Sequence, residues 1–93
     1  MSDFYYLIRS KVDGAYVAAH PRLDDAKGFL LMFKEDFDAL SYLNTHAKDV
    51  ADKFGVESVS SSQVKGLLKR WGFAGVGIVQ DPLVPRVEFL VQE

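Results

Sequence analysis

The sequence predicts an α+β domain: a mixed five- or six-stranded sheet with two helices on one face, in the order β-β-β-α-β-α-β-β. Residues 28–33 (GFLLMF) form a continuous apolar run, which is typical of a central strand buried on both faces. Residues 56–91 show in turn the patterns of a strand, a capped helix, a glycine stop, a buried strand, a proline-marked turn and a last strand. Covering one sheet face with both helices is the economical way to bury two apolar helix stripes.

The first two strands are predicted to form a hairpin. Residues 4–12 are rich in aromatic and branched side chains, and Asp13-Gly14 follows them, which favours a type I′ turn. The returning strand covers residues 15–20 and ends at Pro21, which cannot donate to a strand ladder. The polar residues 21–27 predict a loop.

The first helix is predicted to begin near Lys34, with acidic residues in its first turn that complement the helix dipole. Apolar residues then recur at helical spacing as far as Phe54, and Gly55 is placed to end the helix in a left-handed conformation. The pattern fits one long helix or two shorter helices broken at residues 44–48, and we favour one helix.

The second helix carries clear start and stop signals. Ser60 and Gln63 have the spacing of a capping box, in which each side chain binds the other residue's free backbone amide. Gly72 is expected to end the helix in a Schellman motif, with Phe73 as its hydrophobic contact. A buried strand at residues 76–79 and an edge strand at residues 86–91 complete the domain.

Composition limits the classes of protein that this chain can belong to. Its 93 residues suffice for one domain, and a hydrophobic share of 48% excludes intrinsic disorder. A net charge of −2 argues against a nucleic-acid partner, with Lys65, Lys69 and Arg70 as the candidate for a local basic patch. The longest apolar run is too short for a membrane span. The chain has no cysteine and no secretory signal pattern, so a cytoplasmic location is expected.

Two segments resemble a known family. The strand that runs into an acidic helix start (FLLMFKEDFDAL) and the later GFAGVGIVQDP resemble the N-terminal domain of SseB-like bacterial proteins. The similarity covers residues 15–91, with Asp81-Pro82 where the family commonly has an asparagine-proline turn. The resemblance implies a non-enzymatic protein associated with protein interaction, and it supplies no active-site residues.

No catalytic or cofactor-binding constellation is visible, so an enzyme is not expected, nor a cofactor or a metal. The chain has neither a cysteine nor a G-x-S-x-G elbow for nucleophilic catalysis. Gly72, Gly75 and Gly77 follow a helix and enter a strand, the reverse of a dinucleotide fingerprint. His20 stands near Asp24 and Asp25, but a polar surface loop explains this group better than a metal site.

The best functional lead is a set of aromatic residues predicted to contact a partner protein: Tyr5, Tyr6, Tyr16 and Trp71. Consecutive strand residues point to opposite faces, so Tyr5 and Tyr6 cannot share one core. We therefore expect an adaptor, regulator or subunit that binds a protein, and a homodimer is its simplest form. The contact is expected on an uncovered sheet face or on the hairpin edge. The alternative is a small-ligand sensing domain with a pocket between helix and sheet, near Trp71 and Asp81.

Overall fold

The computed structural model describes residues 3–21 and 27–91, and within these ranges the chain forms six strands, two α-helices and one 3₁₀ helix. The predicted α+β class and order of elements are confirmed. In chain order the elements are β1 (Phe4–Ser10), β2 (Ala18–Ala19), β3 (Phe29–Phe33), α1 (Asp36–His46), the 3₁₀ helix (Lys48–Lys53), β4 (Phe54–Ser60), α2 (Ser61–Trp71), β5 (Gly75–Asp81) and β6 (Arg86–Val91).

Strand β3 lies at the centre of the mixed sheet, as the apolar run predicted. The strand order is β4-β1-β3-β5-β6, and the short β2 also pairs with β3. Strands β3 and β5 are parallel, with Leu31 opposite Gly77, whereas the other strand pairs are antiparallel. All five residues of β3 are buried because neighbouring strands flank it and each sheet face carries a hydrophobic cluster.

The predicted placement of both helices on one face is wrong, because α1 and α2 cover opposite faces. Leu30 and Met32 of β3 belong to the cluster that contains Leu68 of α2. Leu31 and Phe33, which alternate with them, belong to the cluster that contains Ala39 and Leu43 of α1. Since successive strand side chains point to opposite faces, each helix packs on its own side of the sheet.

The direction of the two crossover connections explains this arrangement. Strand β1 is antiparallel to both β3 and β4, so β3, β4 and β5 all run the same way. The chain crosses the sheet in one direction from β3 to β4 through α1, and it returns from β4 to β5 through α2. Such crossovers are nearly always right-handed, and two of the same hand that run in opposite directions lie on opposite faces.

The prediction of a single long first helix is also wrong. Helix α1 ends at His46, Ala47 leaves the helical region with φ −142°, and a 3₁₀ helix follows. A helix over residues 34–54 would be about 31 Å long, whereas a seven-residue strand is about 23 Å long. The break lets Ala51 and Phe54 fold back onto the cluster beneath α1. Gly55 consequently lies inside β4 rather than at a helix end.

The hairpin turn differs from the predicted type I′ geometry, which needs positive φ at both central residues. Gly14 has φ +74°, but no residue other than glycine has a positive φ among those that the structure describes. Instead, Asp13 Oδ1 accepts the Ala15 N–H at 3.0 Å and closes a wider turn. The returning strand shrinks to β2 and a single bridge between Arg9 and Tyr16. Most of the predicted loop at residues 21–27 lies outside the described residues.

Both ends of α2 match the sequence signals. The Ser60 N–H donates to Gln63 Oε1 at 3.0 Å within the capping box. Gly72 adopts φ +75°, and the Phe73 N–H donates to the Leu68 carbonyl at 2.9 Å, as in a Schellman motif. Strand β6 lies at the end of the strand order, as predicted for an edge strand.

Gly75 offers a direct test of the β5–β6 pairing. A Cβ at this position would overlap the backbone carbonyl of Leu90 in β6, which cannot move without disturbing the strand. We expect Gly75→Ala to lower the free energy of unfolding by about 1–3 kcal/mol, measured by chemical denaturation. An unchanged unfolding midpoint would contradict this close approach of the two strands.

Candidate functional site

The four aromatic residues predicted to contact a partner fall into different environments. Tyr5 packs against the cluster beneath α2, and Tyr6 packs against the cluster beneath α1. Both are half-buried, because each sheet face has its own helix. The predicted hairpin edge is not available for pairing with a partner strand, because all seven residues of β1 pair with β4. The sequence could not reveal that β4 occupies this position.

Tyr16 and Trp71 are brought together on the α2 side of the sheet. Their rings meet edge to face with centroids 5.3 Å apart, and Trp71 remains 42% exposed. Asp81, the other residue expected near the pocket, ends β5, whereas Trp71 precedes the first residue of that strand. The full length of β5, about 23 Å, therefore separates Asp81 from the Trp71 end of the sheet.

A groove of about 370 Å³ lies between α2 and the β4 side of the sheet, and we call it the helix–strand groove. It contains apolar, hydroxyl, amide and charged groups. The residues that line it are Leu7, Tyr16, Glu57, Ser58, Val59, Ser62, Gln63, Gly66, Leu67 and Arg70.

A network of polar contacts fixes one wall of the groove. The Tyr16 hydroxyl donates to Glu57 Oε2 at 2.7 Å, and Arg9 Nη1 lies 3.5 Å from Glu57 Oε1. The Arg9 guanidinium carbon sits 4.8 Å from the centroid of the Tyr16 ring, and Arg9 Nε donates to the Gly14 carbonyl at 2.8 Å. Partial burial and the bond to Glu57 raise the pKa of Tyr16. Both carboxylate oxygens of Glu57 are thus already engaged.

The remaining charge of the groove is positive. Helix α2 carries Lys65, Lys69 and Arg70 and has no acidic residue. Of these cations only Arg70 lines the groove. Its guanidinium makes no hydrogen bond or ion pair with any residue that the structure describes, so it is available to an anionic group.

Gly66 leaves a gap in the helix wall of the groove. It lies in the interior of α2, where glycine costs about 0.5–1 kcal/mol relative to alanine. Apart from its two chain neighbours and the helix's own backbone, no described atom lies within 4 Å of the place a Cβ would take. Packing therefore does not require a glycine here, and the space beside Gly66 is open to the groove.

A second surface lies at the opposite edge of the sheet and is apolar. Strand β6 leaves Val91 69%, Leu90 46% and Phe89 39% exposed. Beside β6, on the α1 face, is a cleft of about 560 Å³ whose lining includes Tyr42 and Val87. We call the exposed apolar residues of β6 and of the turn before it the β6 surface: Leu83, Val84, Phe89, Leu90 and Val91.

Neither surface has the features of a metal centre. Within residues 3–21 and 27–91, no group of three or more His, Cys, Asp and Glu side chains is placed to hold a metal ion. Asp24 and Asp25, considered with His20 as ligands, lie outside the described residues. None of the helices in the described part of the chain is long and apolar enough to cross a membrane.

Comparison with known proteins found no matching family model, no matching curated protein and no matching solved structure. The resemblance to the SseB-like N-terminal domain therefore stays a prediction.

Sequence reasoning identified Tyr16 and the cations of α2, which include Arg70, but it missed Gly66, the groove itself and the β6 surface, although signals for these exist. A glycine in mid-helix and a helix with three cations and no acid are visible in residues 61–71. Three consecutive apolar residues at the end of an edge strand, residues 89–91, are visible as well. What the sequence does not show is which other strands these residues face.

Gly66 provides a test of the groove's helix wall. We expect Gly66→Ala to raise the free energy of unfolding by about 1 kcal/mol, because alanine favours the helix and the space is open. The measurement is chemical denaturation with the wild-type protein in parallel. A loss of stability would mean that the added methyl group meets a neighbour, which is inconsistent with an open groove.

The Tyr16–Glu57 contact is testable by titration. Glu57→Gln removes the negative charge beside the Tyr16 hydroxyl, so the pKa of Tyr16 should fall toward its ordinary value. Ring signals of Tyr16 in a pH series of NMR spectra report this change. Glu88→Gln, which removes an exposed carboxylate from β6, is the matched control and should leave the Tyr16 titration unchanged. An equal titration in all three proteins would contradict the contact.

Proposed function

We propose that this chain is a non-enzymatic protein-interaction module that makes its contact at the β6 surface and associates with a second copy of itself. The supporting observation is the exposure of three consecutive large apolar residues on an edge strand, Phe89, Leu90 and Val91. Contiguous exposed apolar surface beside polar residues is characteristic of interaction sites. The lack of cysteine and the SseB-like pattern support a bacterial, cytoplasmic adaptor, regulator or subunit.

The contrast between the two sheet edges supports β6 as the edge for self-association. On β4, the exposed side chains are polar, Glu57 and Ser58. A charged edge discourages pairing with another copy. On β6, apolar side chains are exposed on both faces of the strand. No strand pairs with the outer side of β6 among the residues that the structure describes. Burial of its apolar side chains would stabilise a domain of this size.

An antiparallel pair of β6 strands about a two-fold axis gives a self-complementary contact. In one register Phe89 lies opposite its copy and Val87 lies opposite Val91, so the face that carries these residues is apolar throughout. This register also avoids placing Glu88 opposite its copy, which like charges disfavour. Phe89 is already oriented by its edge-to-face contact with Phe29, with centroids 5.2 Å apart.

Sedimentation across a concentration series tests the proposal. The wild-type protein should shift from the monomer mass to twice that mass as the concentration rises. Val91→Lys should move this shift to higher concentration, because it places a charge in the apolar contact. Phe89→Lys should do the same, and Val91→Lys is the safer variant because Val91 is more exposed.

The matched control is Phe37→Lys, which changes a phenylalanine that is 61% exposed on α1, away from β6. It should leave self-association unchanged. A wild-type protein that stays monomeric throughout, or a dimer insensitive to both β6 substitutions, would contradict self-association at the β6 surface.

A further inference from the structure

We propose that the helix–strand groove is a second, separate binding site that takes an extended acidic peptide segment, added as a strand along the outer edge of β4. The two sites lie at opposite edges of the sheet, so this inference does not depend on the β6 contact. Three features of the groove, as the described residues form it, identify its occupant: a strand edge without a paired strand, a guanidinium without an ionic partner and a gap in the helix wall.

The free edge supplies the backbone contacts. Strand β4 pairs with β1 along all seven of its residues, and no strand pairs with its other side in the described ranges. Ser58 borders the groove although its side chain points to the opposite face from its neighbours Glu57 and Val59. The groove therefore reaches the β4 backbone, and a segment paired with the unused N–H and C=O groups on the outer edge of β4 can direct side chains into it.

Charge selects an acidic segment. Glu57 is engaged by Tyr16 and Arg9, whereas Arg70 lines the groove without a hydrogen bond or ion pair to any described residue. Lys65 and Lys69 add positive charge to the same helix, which has no acidic residue to offset it. An aspartate or glutamate side chain is the complementary partner, because guanidinium binds carboxylate through paired hydrogen bonds.

The spacing of Gly66 and Arg70 along α2 predicts the spacing of side chains in the bound segment. Gly66 and Arg70 are four residues apart on α2, which separates them by about 6 Å along the helix. Alternate residues of a strand are about 6.6 Å apart and point to the same face. A segment with a small apolar residue over Gly66 can therefore place a carboxylate at Arg70 from a position two residues away. The apolar lining of the groove, Leu7 and Val59 from the sheet and Leu67 from α2, suits the apolar side chain.

The probe is the peptide acetyl-Ser-Glu-Thr-Val-Thr-Glu-Ser-amide, in which both glutamates and the valine share one face in either chain direction. Binding is followed by two-dimensional NMR of isotope-labelled protein. We expect saturable shifts of backbone amide signals in β4 and α2 and none in β6, which locates the site independently of self-association.

Variants of the chain test the guanidinium and the gap in the helix wall. Arg70→Ala should weaken binding about threefold to tenfold, as loss of a partly exposed ionic contact predicts. Lys65→Ala removes the same charge from α2 outside the groove lining and should change the affinity less than about twofold. Gly66→Leu introduces a good helix former into α2 but fills the gap, so it should weaken binding about tenfold or more.

Variants of the probe test the occupant. Replacing both glutamates by lysine should abolish binding, and so should N-methylation of the peptide backbone, which removes strand pairing but retains the side chains. Equal binding of the lysine peptide would overturn the charge argument. Equal binding of the methylated peptide, or of N-acetylglutamate amide alone, would overturn strand addition and indicate a small-ligand pocket. Peptide shifts confined to β6 would overturn the assignment of the site.

Discussion

The burial of β3 on both faces is the constraint on which the rest of this fold depends. One helix cannot bury five consecutive apolar strand residues, because alternate side chains point to opposite sides of the sheet. The chain meets this requirement with two crossovers that run in opposite directions, which puts α1 and α2 on different faces. The positions of β1, between β3 and β4, and of β6, at the far edge, follow from the same path.

This arrangement leaves the sheet edges rather than its faces as the places for contact. The two edges are formed by strands with different connections: β4 lies between the two crossovers, whereas β6 follows β5 through a short turn. Strand β4 leads directly into a basic helix and borders a polar groove, whereas β6 ends the sheet with apolar side chains on both of its faces. One small domain thus presents an edge suited to an acidic segment and an edge suited to an apolar partner, with the packed core between them.

Local features could be predicted from the sequence, and features that depend on strand order could not. The β3 run, the Ser60–Gln63 capping box and the Gly72 helix stop each depend on residues close together in the chain. The side of the sheet that α1 covers depends on where β4 pairs, and the pattern of residues 54–60 does not encode its neighbour. The groove was missed for the same reason: Tyr16, Glu57 and Arg70 come from three distant segments. Tyr16 and Trp71 were identified as aromatic surface residues, but their contact follows only from the fold.

Residue-by-residue amide hydrogen exchange at low protein concentration shows whether the sheet is closed on its faces and open at its edges. We expect the slowest exchange for amides of β3, which is paired on both sides. In β4 and β6, amides that point away from the sheet should exchange quickly, and those bonded to β1 or β5 should exchange slowly. Uniform protection along either edge strand, or exchange in β3 as fast as at the edges, would contradict this arrangement of the sheet.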